Sequence, residues 1–446
     1  MLNSGSIPKS LTWKKDFQDS NYRRLVSDVS SLAKLHGKWI SQDCLNLVSA
    51  HNIMSPSARA ILSSGLADKI LAGRIKNRDH AGATFIDEID KICISVASRL
   101  FKASYVEYRP MSGAIANGIA ICSVTKPGTN VITWPKKYGA HFTFQEKGYP
   151  FYRNLKVSEI PCDEGDGEGA IDFPKLEEMI DAIRPSTLIL GSSTVLFPYP
   201  LRRLTKIASR AGVNVMYDGA HVMGLIAGGK FQKPFEEGAT VLTGSTQKTM
   251  PGPVGGLILS NDKPLADLVQ TTTDHLIANY QNNRVAALTI AMIELLAFGR
   301  SLADRITKNA KSLARSLSKQ GFVVLCKKRD FTESHQLIID MKESGGAEEA
   351  VRQLERANIL STRITIPRDF PDHVDEPSGL RLGTNEISRF DMGSAEMNII
   401  ANLIARTLID KEKPEIIRKE VSMLKDQFSQ MKYVLDPESI ESFIPK

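Results

Sequence analysis

VNVMYDGAHVMGL, residues 213–225, and TVLTGSTQKTMPGPVGG, residues 240–256, are the two stretches on which the fold turns. Each opens with a short apolar run and ends in polar residues, the layout of a buried parallel strand that delivers side chains at its C-terminal end. The first delivers Asp218. A carboxylate buried there calls for a cationic partner, with a helix N-cap or a metal ligand as the plainer alternatives. The second delivers Lys248, 30 residues downstream, a spacing that leaves room for one intervening element, so that acid and amine can meet from neighbouring strands. Thr243, Ser245, Thr246 and Thr249 surround the lysine, and Gly252, Gly255 and Gly256 follow it. Glycines let the backbone approach a flat ring, and a desolvated setting favours the free amine that a nucleophilic lysine requires.

Outward from these stretches, β-rich runs recur at 106–108, 130–134, 187–191 and 256–260, with helix-like segments between several of them. The alternation predicts an α/β fold with a mostly parallel, seven-stranded-type sheet in a large domain. A third chemical element lies in YRPMSGAIANGIAICSVT, residues 108–125, where a strand-like segment turns through Ser112 and Gly113 into a helix starting near Ala114. A helix N-terminus binds anions through its free N–H groups and dipole, although a Ser-Gly before a helix is also an ordinary cap. In chain order the three elements suit a phosphate, a pyridinium and an amine. Beyond a long amphipathic stretch at 284–317 the pattern changes to strands FVVLC and HQLIID, a helix AEEAVRQLERA and then RLG, which predicts a smaller α+β domain ending in a charged helical tail. The expected divisions are an N-terminal arm over 1–60, a large domain over 61–300 and a small C-terminal domain over 301–446.

The chain's 446 residues exceed the size at which one core stops growing, and 42% hydrophobic with 24% charged residues is an ordinary globular composition. The net charge of +7 comes from scattered Lys and Arg, without a basic run or basic-aromatic interleaving, so no nucleic-acid partner is expected. Five cysteines at wide, irregular spacing suggest neither a disulfide framework nor a metal site. No secretory signal and no unbroken apolar run of membrane-spanning length is read, and the expected compartment is the cytoplasm, with no membrane partner.

Taken as a set, LVSAHNIMSP, ATFIDEID, MSGAIANG, YGAHFTF, YDGAHVMGLIAGG, STQKTMPGPVGGLIL and SGLRLGTNEISR resemble the serine hydroxymethyltransferase family of fold-type-I pyridoxal-phosphate enzymes, over about residues 45–408. The resemblance implies that Lys248 carries the cofactor as a Schiff base, that Asp218 pairs with its pyridine nitrogen, and that Ser112, Gly113, Ala114, Ser245 and Gln247 lie about it. It implies that His141 stacks on the pyridoxal ring and that His221 and Ser193 lie near the cofactor's 3′-oxygen. Arg381, in GLRLGT, matches the arginine that receives the substrate carboxylate, a task for which its planar fork suits it. The family is commonly dimeric with shared sites, so 70–82 and 279–284 are expected to act across a homodimer.

The chain departs from the family pattern where folate chemistry sits. Ile70 replaces a tyrosine, Ala72 the acid-base glutamate, and Asp79 and His80 a tyrosine pair, while Ala50, His51 and Asn52 stand for Ser-Glu-Asn and Gln247 for a histidine. An alanine moves no protons, so folate is an unlikely cosubstrate. His51 and His80 are the candidates for the missing acid-base function. Ala50, His51 and Arg78 are candidate substrate contacts, and Arg74, Lys76 and Arg78 suggest an acidic or phosphorylated substrate or simply a solvated loop. KTMPGP, FTESHQ and the tail after Arg406 are closer to the folate-independent L-threonine transaldolases, which pass a glycine unit to an aldehyde. The expected activity is therefore cleavage or formation of the Cα–Cβ bond of a β-hydroxy-α-amino acid, with an amino acid and an aldehyde as small-molecule partners. Chemistry at Cα–H, as in an aminotransferase, racemase or β/γ-replacement enzyme, and a non-catalytic binding role are the alternatives. No metal is expected.

Overall fold

The structure, a computed structural model, describes residues 22–163 and 169–435, so the first 21 residues of the expected arm lie outside it. Seven strands form the main sheet: β1 Tyr105–Glu107, β2 Asn130–Thr133, β3 Lys156–Glu159, β4 Thr187–Gly191, β5 Asn214–Asp218, β6 Val241–Ser245 and β7 Gly256–Ser260. Their spatial order is β1-β7-β6-β5-β4-β2-β3. β2 to β6 run parallel, and only β7 is antiparallel to its neighbours β6 and β1.

β4, β6 and β7 are buried along their whole length, as expected of strands covered on both faces. Side-chain alternation divides them between two cores. Leu188, Leu190, Val215, Tyr217 and Leu242 face one side, while Ile189, Met216, Val241 and Ile258 face the other, together with Ala116, Ile119 and Ala120 of the helix Gly113–Val124. The same period places Asp218, two residues after Met216, and Thr243, two after Val241, on the face of that helix.

A third core builds the second unit. The strands β8 Val323–Val324, β9 Gln336–Asp340, β10 Thr362–Ile364 and β11 Gly379–Gly383 pair antiparallel in the order β8-β9-β11-β10. Leu337, Ile339, Leu380 and Leu382 pack there with Leu354, Ile400 and Ile404. The tail helix Pro414–Gln427 adds Ile417, Val421 and Leu424 to this core, buries Lys425 beside them and leaves Glu415, Lys419 and Asp426 to solvent.

The helix Asn282–Lys319 runs through the boundary expected at 300/301. Its Val285, Leu288, Met292 and Leu295 belong to the large-sheet core, and Leu313, Ala314 and Leu317 to the second core, so the two units share one continuous rod. It is also the one helix among the described residues long and apolar enough to cross a membrane, with 61% of its most apolar window buried inside the protein. The expected arm is likewise not separate throughout: Leu45–Asn46 pairs with Ile359–Leu360, and Leu45 and Leu47 are buried in the second core.

Candidate active site

β5 and β6 bring their C-terminal ends together. Asp218, buried at the end of β5, accepts from the Ala220 amide at Oδ1 and from Asn117 Nδ2 at Oδ2, both at 2.8 Å. Asn117 Oδ1 in turn accepts from the Thr243 hydroxyl at 2.6 Å. Gly191 of the adjacent strand permits this placement, because a Cβ there would lie 2.8 Å from Asp218 Cβ. Among the described residues Asp218 has no ion-pair partner.

Lys248 follows β6 and is half-buried. Burial pushes its amine down to about 8, with Asp218 opposing the fall and Arg381 adding to it. Lys248 thus reaches the free-base form at a lower pH than an ordinary lysine. Its carbonyl accepts from Asn52 Nδ2 at 2.6 Å, which brings the segment containing Ala50 and His51 to the same wall. The His51 imidazole is solvent-accessible, and the protein around it lowers its pKa by desolvation.

Ser112 caps the helix Gly113–Val124, its hydroxyl accepting from the Ile115 amide at 3.1 Å. The first-turn amides of Gly113 and Ala114 have no intrahelical acceptor and point toward a prospective anion. A side chain at Gly113 would overlap the Ser245 hydroxyl, so helix and β6 meet there without a gap. Gln247 adds a buried Oε1 without a partner.

On the other side stand His335, just before β9, Gln336, which opens β9, and Arg381 on β11. Arg381 is buried, donates from one terminal nitrogen to the Ser193 carbonyl at 2.5 Å, and leaves Nε unpartnered. Burial pushes the guanidinium down to about 10, and no carboxylate pairs with it among the described residues. A buried cation with free donors can receive a carboxylate. His221 is buried and stacks on His335 with ring centroids 5.7 Å apart. Burial holds His221 well below the ordinary histidine range, helped by the charges of Lys248 and Arg381, and holds His335 down to about 3. His141 Nδ1 lies 2.7 Å from the Thr143 hydroxyl, and burial lowers its pKa, with Asp218 opposing and Lys248 assisting.

An unpaired carboxylate, an amine with a lowered pKa, open helix amides and a partnerless amide oxygen converge from β5, β6 and the helix after β1. They fit pyridoxal phosphate: Asp218 would face the pyridine nitrogen, Lys248 the aldehyde carbon, and Ser112, Gly113 and Ala114 the phosphate. Sequence reasoning missed Asn117, His335 and Gln336 as site residues. A lone Asn in the otherwise apolar AIANGIAIC was the signal for the first; the other two lie in FTESHQ, where only the resemblance marked them.

The model of the family described as serine hydroxymethyltransferase matches residues 34–404. The chain belongs to the serine hydroxymethyltransferase family. It is 37% identical over 411 residues to the serine hydroxymethyltransferase of Methanopyrus kandleri, which spans 92% of this chain and 95% of that protein. The corresponding protein of Pyrococcus horikoshii is 36% identical over 421 residues, 93% and 98% of the two chains. The fold is similar to that of the L-threonine transaldolase from Pseudomonas fluorescens, with a TM-score of 0.84 at 24% identity over 96% of this chain and 98% of the other. As a member of this family, the protein is a pyridoxal-phosphate-dependent enzyme that breaks or forms Cα–Cβ bonds, on a fold-type-I scaffold.

Within the chain, Arg74 and Arg78 of the 70–82 region are engaged by the protein's own acids. Arg78 Nε donates to Asp87 at 2.8 Å, one terminal nitrogen to Asp90 at 2.6 Å, and the other to the Gly73 carbonyl at 2.8 Å, a set of partners that favours a structural role. Arg74 is likewise bound to Asp274. The acids of this chain consume the charge that the sequence offered to a ligand. His80 is exposed, and no contact within the chain joins it to Lys248 or Arg381 among the described residues.

Proposed function

We propose that this enzyme cleaves and forms the Cα–Cβ bond of β-hydroxy-α-amino acids without folate, with an aldehyde as the second partner. The observation that carries the reading is the buried, carboxylate-free Arg381 beside the half-buried Lys248, in a chain that has Ala72 where folate chemistry needs an acid-base side chain. Pyridoxal phosphate supplies an electron sink for the pair left on Cα. Arg381 binds the carboxylate and so fixes which bond at Cα lies across the ring. In cleavage the β-hydroxyl loses its proton, Cβ becomes the aldehyde carbon, and Cα keeps the electron pair and is protonated to give glycine. We assign the hydroxyl proton to His51, whose neighbour Asn52 holds the Lys248 carbonyl and whose lowered pKa keeps the imidazole neutral and able to accept it.

We further infer a homodimer in the cytoplasm. The helix Tyr22–Lys38 buries none of its residues against its own chain, and Val26 and Val29 are 67% and 68% exposed on it. Phe85 at 82%, Phe142 beside His141, and Val254 after Lys248 add exposed apolar surface. A second copy covering these residues would bring the 70–82 hairpin, and His80 with it, toward the partner's cleft. The test is aldehyde release from L-threonine, followed with a coupled dehydrogenase, with and without tetrahydrofolate. Release that folate does not accelerate supports the reading, and release only with folate, or keto acid or D-isomer in place of aldehyde, overturns it.

A further inference from the structure

Gln336 opens β9 with no exposed surface, and its amide makes three hydrogen bonds on the substrate side of the cleft. Oε1 accepts from the Val195 amide at 2.8 Å. Nε2 donates to the Ser193 carbonyl at 3.1 Å and lies 2.8 Å from His221 Nδ1. The backbone groups fix which end of the amide is which, because an N–H can only donate and a carbonyl can only accept. The remaining Nε2 hydrogen then falls to His221 Nδ1, which must present a lone pair, and a neutral imidazole accepting at Nδ1 carries its proton on Nε2. The Ser193 carbonyl held by Gln336 is the one that receives Arg381 at 2.5 Å. Strand register supports this arrangement: Gln336 pairs with Gly383 and Ile338 with Arg381, so Gln336 and Arg381 project from the same face of neighbouring strands.

We propose that Gln336 is a positioning residue that sets the His221 tautomer, with its proton on Nε2, and braces the Ser193 carbonyl against Arg381. His221 is then a hydrogen-bond donor toward the cleft and not a base. The charged and titratable groups facing it are Lys248 after β6, Arg381 on β11, His335 just before β9 and His141 after β2. A glutamate at 336 keeps the acceptor for Val195 but has nothing to donate to Ser193 or His221. It would draw a proton onto Nδ1 and turn the imidazole into the other tautomer or its cation. The consequence for turnover rests on the function proposed above, whereas the hydrogen bonding does not.

The experiment uses the full chain loaded with pyridoxal phosphate and labelled with ¹⁵N in its eight histidines, His221 being assigned through His221→Asn. Two-bond ¹H–¹⁵N correlation is expected to show His221 protonated at Nε2 alone in the wild type and at Nδ1 in Gln336→Glu. Gln336→Leu is expected to raise KM for the amino acid about tenfold, the effect of about one lost hydrogen bond, with a smaller change in kcat. A wild-type His221 protonated at Nδ1, a tautomer unchanged in Gln336→Glu, or an unchanged KM in Gln336→Leu overturns the proposal. The wild-type spectrum decides the tautomer even if a variant folds poorly. Borohydride labelling run in parallel separates the two readings: no pyridoxyl group at Lys248 sinks the proposed chemistry and leaves the tautomer result standing.

Discussion

Asn117 Nδ2 donates to Asp218 Oδ2 at 2.8 Å, across 101 residues of sequence. Both partners are buried, and the Thr243 hydroxyl completes the chain by donating to Asn117 Oδ1. The asparagine thus ties the carboxylate of β5 to the helix whose first-turn amides would meet the phosphate, so two parts of the candidate cofactor site are kept in register by a single side chain.

Replacing Asn117 with Ala leaves a buried carboxylate oxygen and a buried hydroxyl without partners. The expected loss is about 1.5–3 kcal/mol of unfolding free energy, as for a buried hydrogen bond to a charged group. Urea denaturation of the cofactor-free protein measures it, and a midpoint equal to wild type would show that the bridge contributes nothing.

Lys248 gives a prediction in pH. Its folded value of about 8 lies below the ordinary 10.5, so between those values the unfolded chain binds more protons and stability rises with pH. The penalty is fully present below pH 8 and gone above 10.5. Cofactor-free Lys248→Met is therefore expected to be more stable than wild type near pH 7, with the advantage vanishing in strongly alkaline buffer. Uptake of pyridoxal phosphate by the wild type, followed by absorbance, should accelerate as pH rises through about 8. A flat profile on both measurements would contradict a desolvated amine.

The sheet was legible because its central strands are covered on both faces and so read as continuous apolar runs, TLILG and VNVMY among them. Asp218 and Lys248 were legible because the first ends such a strand and the second closely follows one. Gln336 was not, because its meaning lies in the Val195 amide and His221, 141 and 115 residues away, and a lone Gln before an apolar run carries no periodic signal. The partners of Arg78 were hidden for a related reason. Its partners Asp87 and Asp90 stand three apart on the helix Thr84–Phe101, a spacing that puts both on one face, but the sequence does not say which hairpin that face meets.

Arg381→Ala should raise KM for the amino acid by roughly 10- to 150-fold, the equivalent of about 1.5–3 kcal/mol for a charged hydrogen-bonding partner. Arg381→Lys should recover only part of this, since a point charge does not reproduce the planar fork. Because burial makes an unpaired guanidinium costly, Arg381→Met is also expected to leave the substrate-free protein at least as stable as wild type. Steady-state kinetics with urea titration checks both halves, and an unchanged KM would remove Arg381 from the substrate site.

Arg78 separates a structural cation from a binding one. Its side chain is 5% exposed, that of Asp90 is fully buried, and Asp87 and the Gly73 carbonyl engage its other two nitrogens. Burial opposes the guanidinium charge, but the bonds to Asp87 and Asp90 outweigh it and raise the pKa. Asp90 carries the complementary strain, its carboxyl raised by burial against the pull of Tyr280 and Arg78. Arg78→Met strands that carboxylate and is expected to cost about 3–5 kcal/mol. Adding Asp90→Asn should return part of the loss, because it removes the stranded charge, so the two substitutions together should cost less than their sum. If Arg78 instead held substrate, the single variant would raise KM at unchanged stability and Asp90→Asn would rescue nothing; thermal unfolding and KM measured on the same four proteins decide between these outcomes.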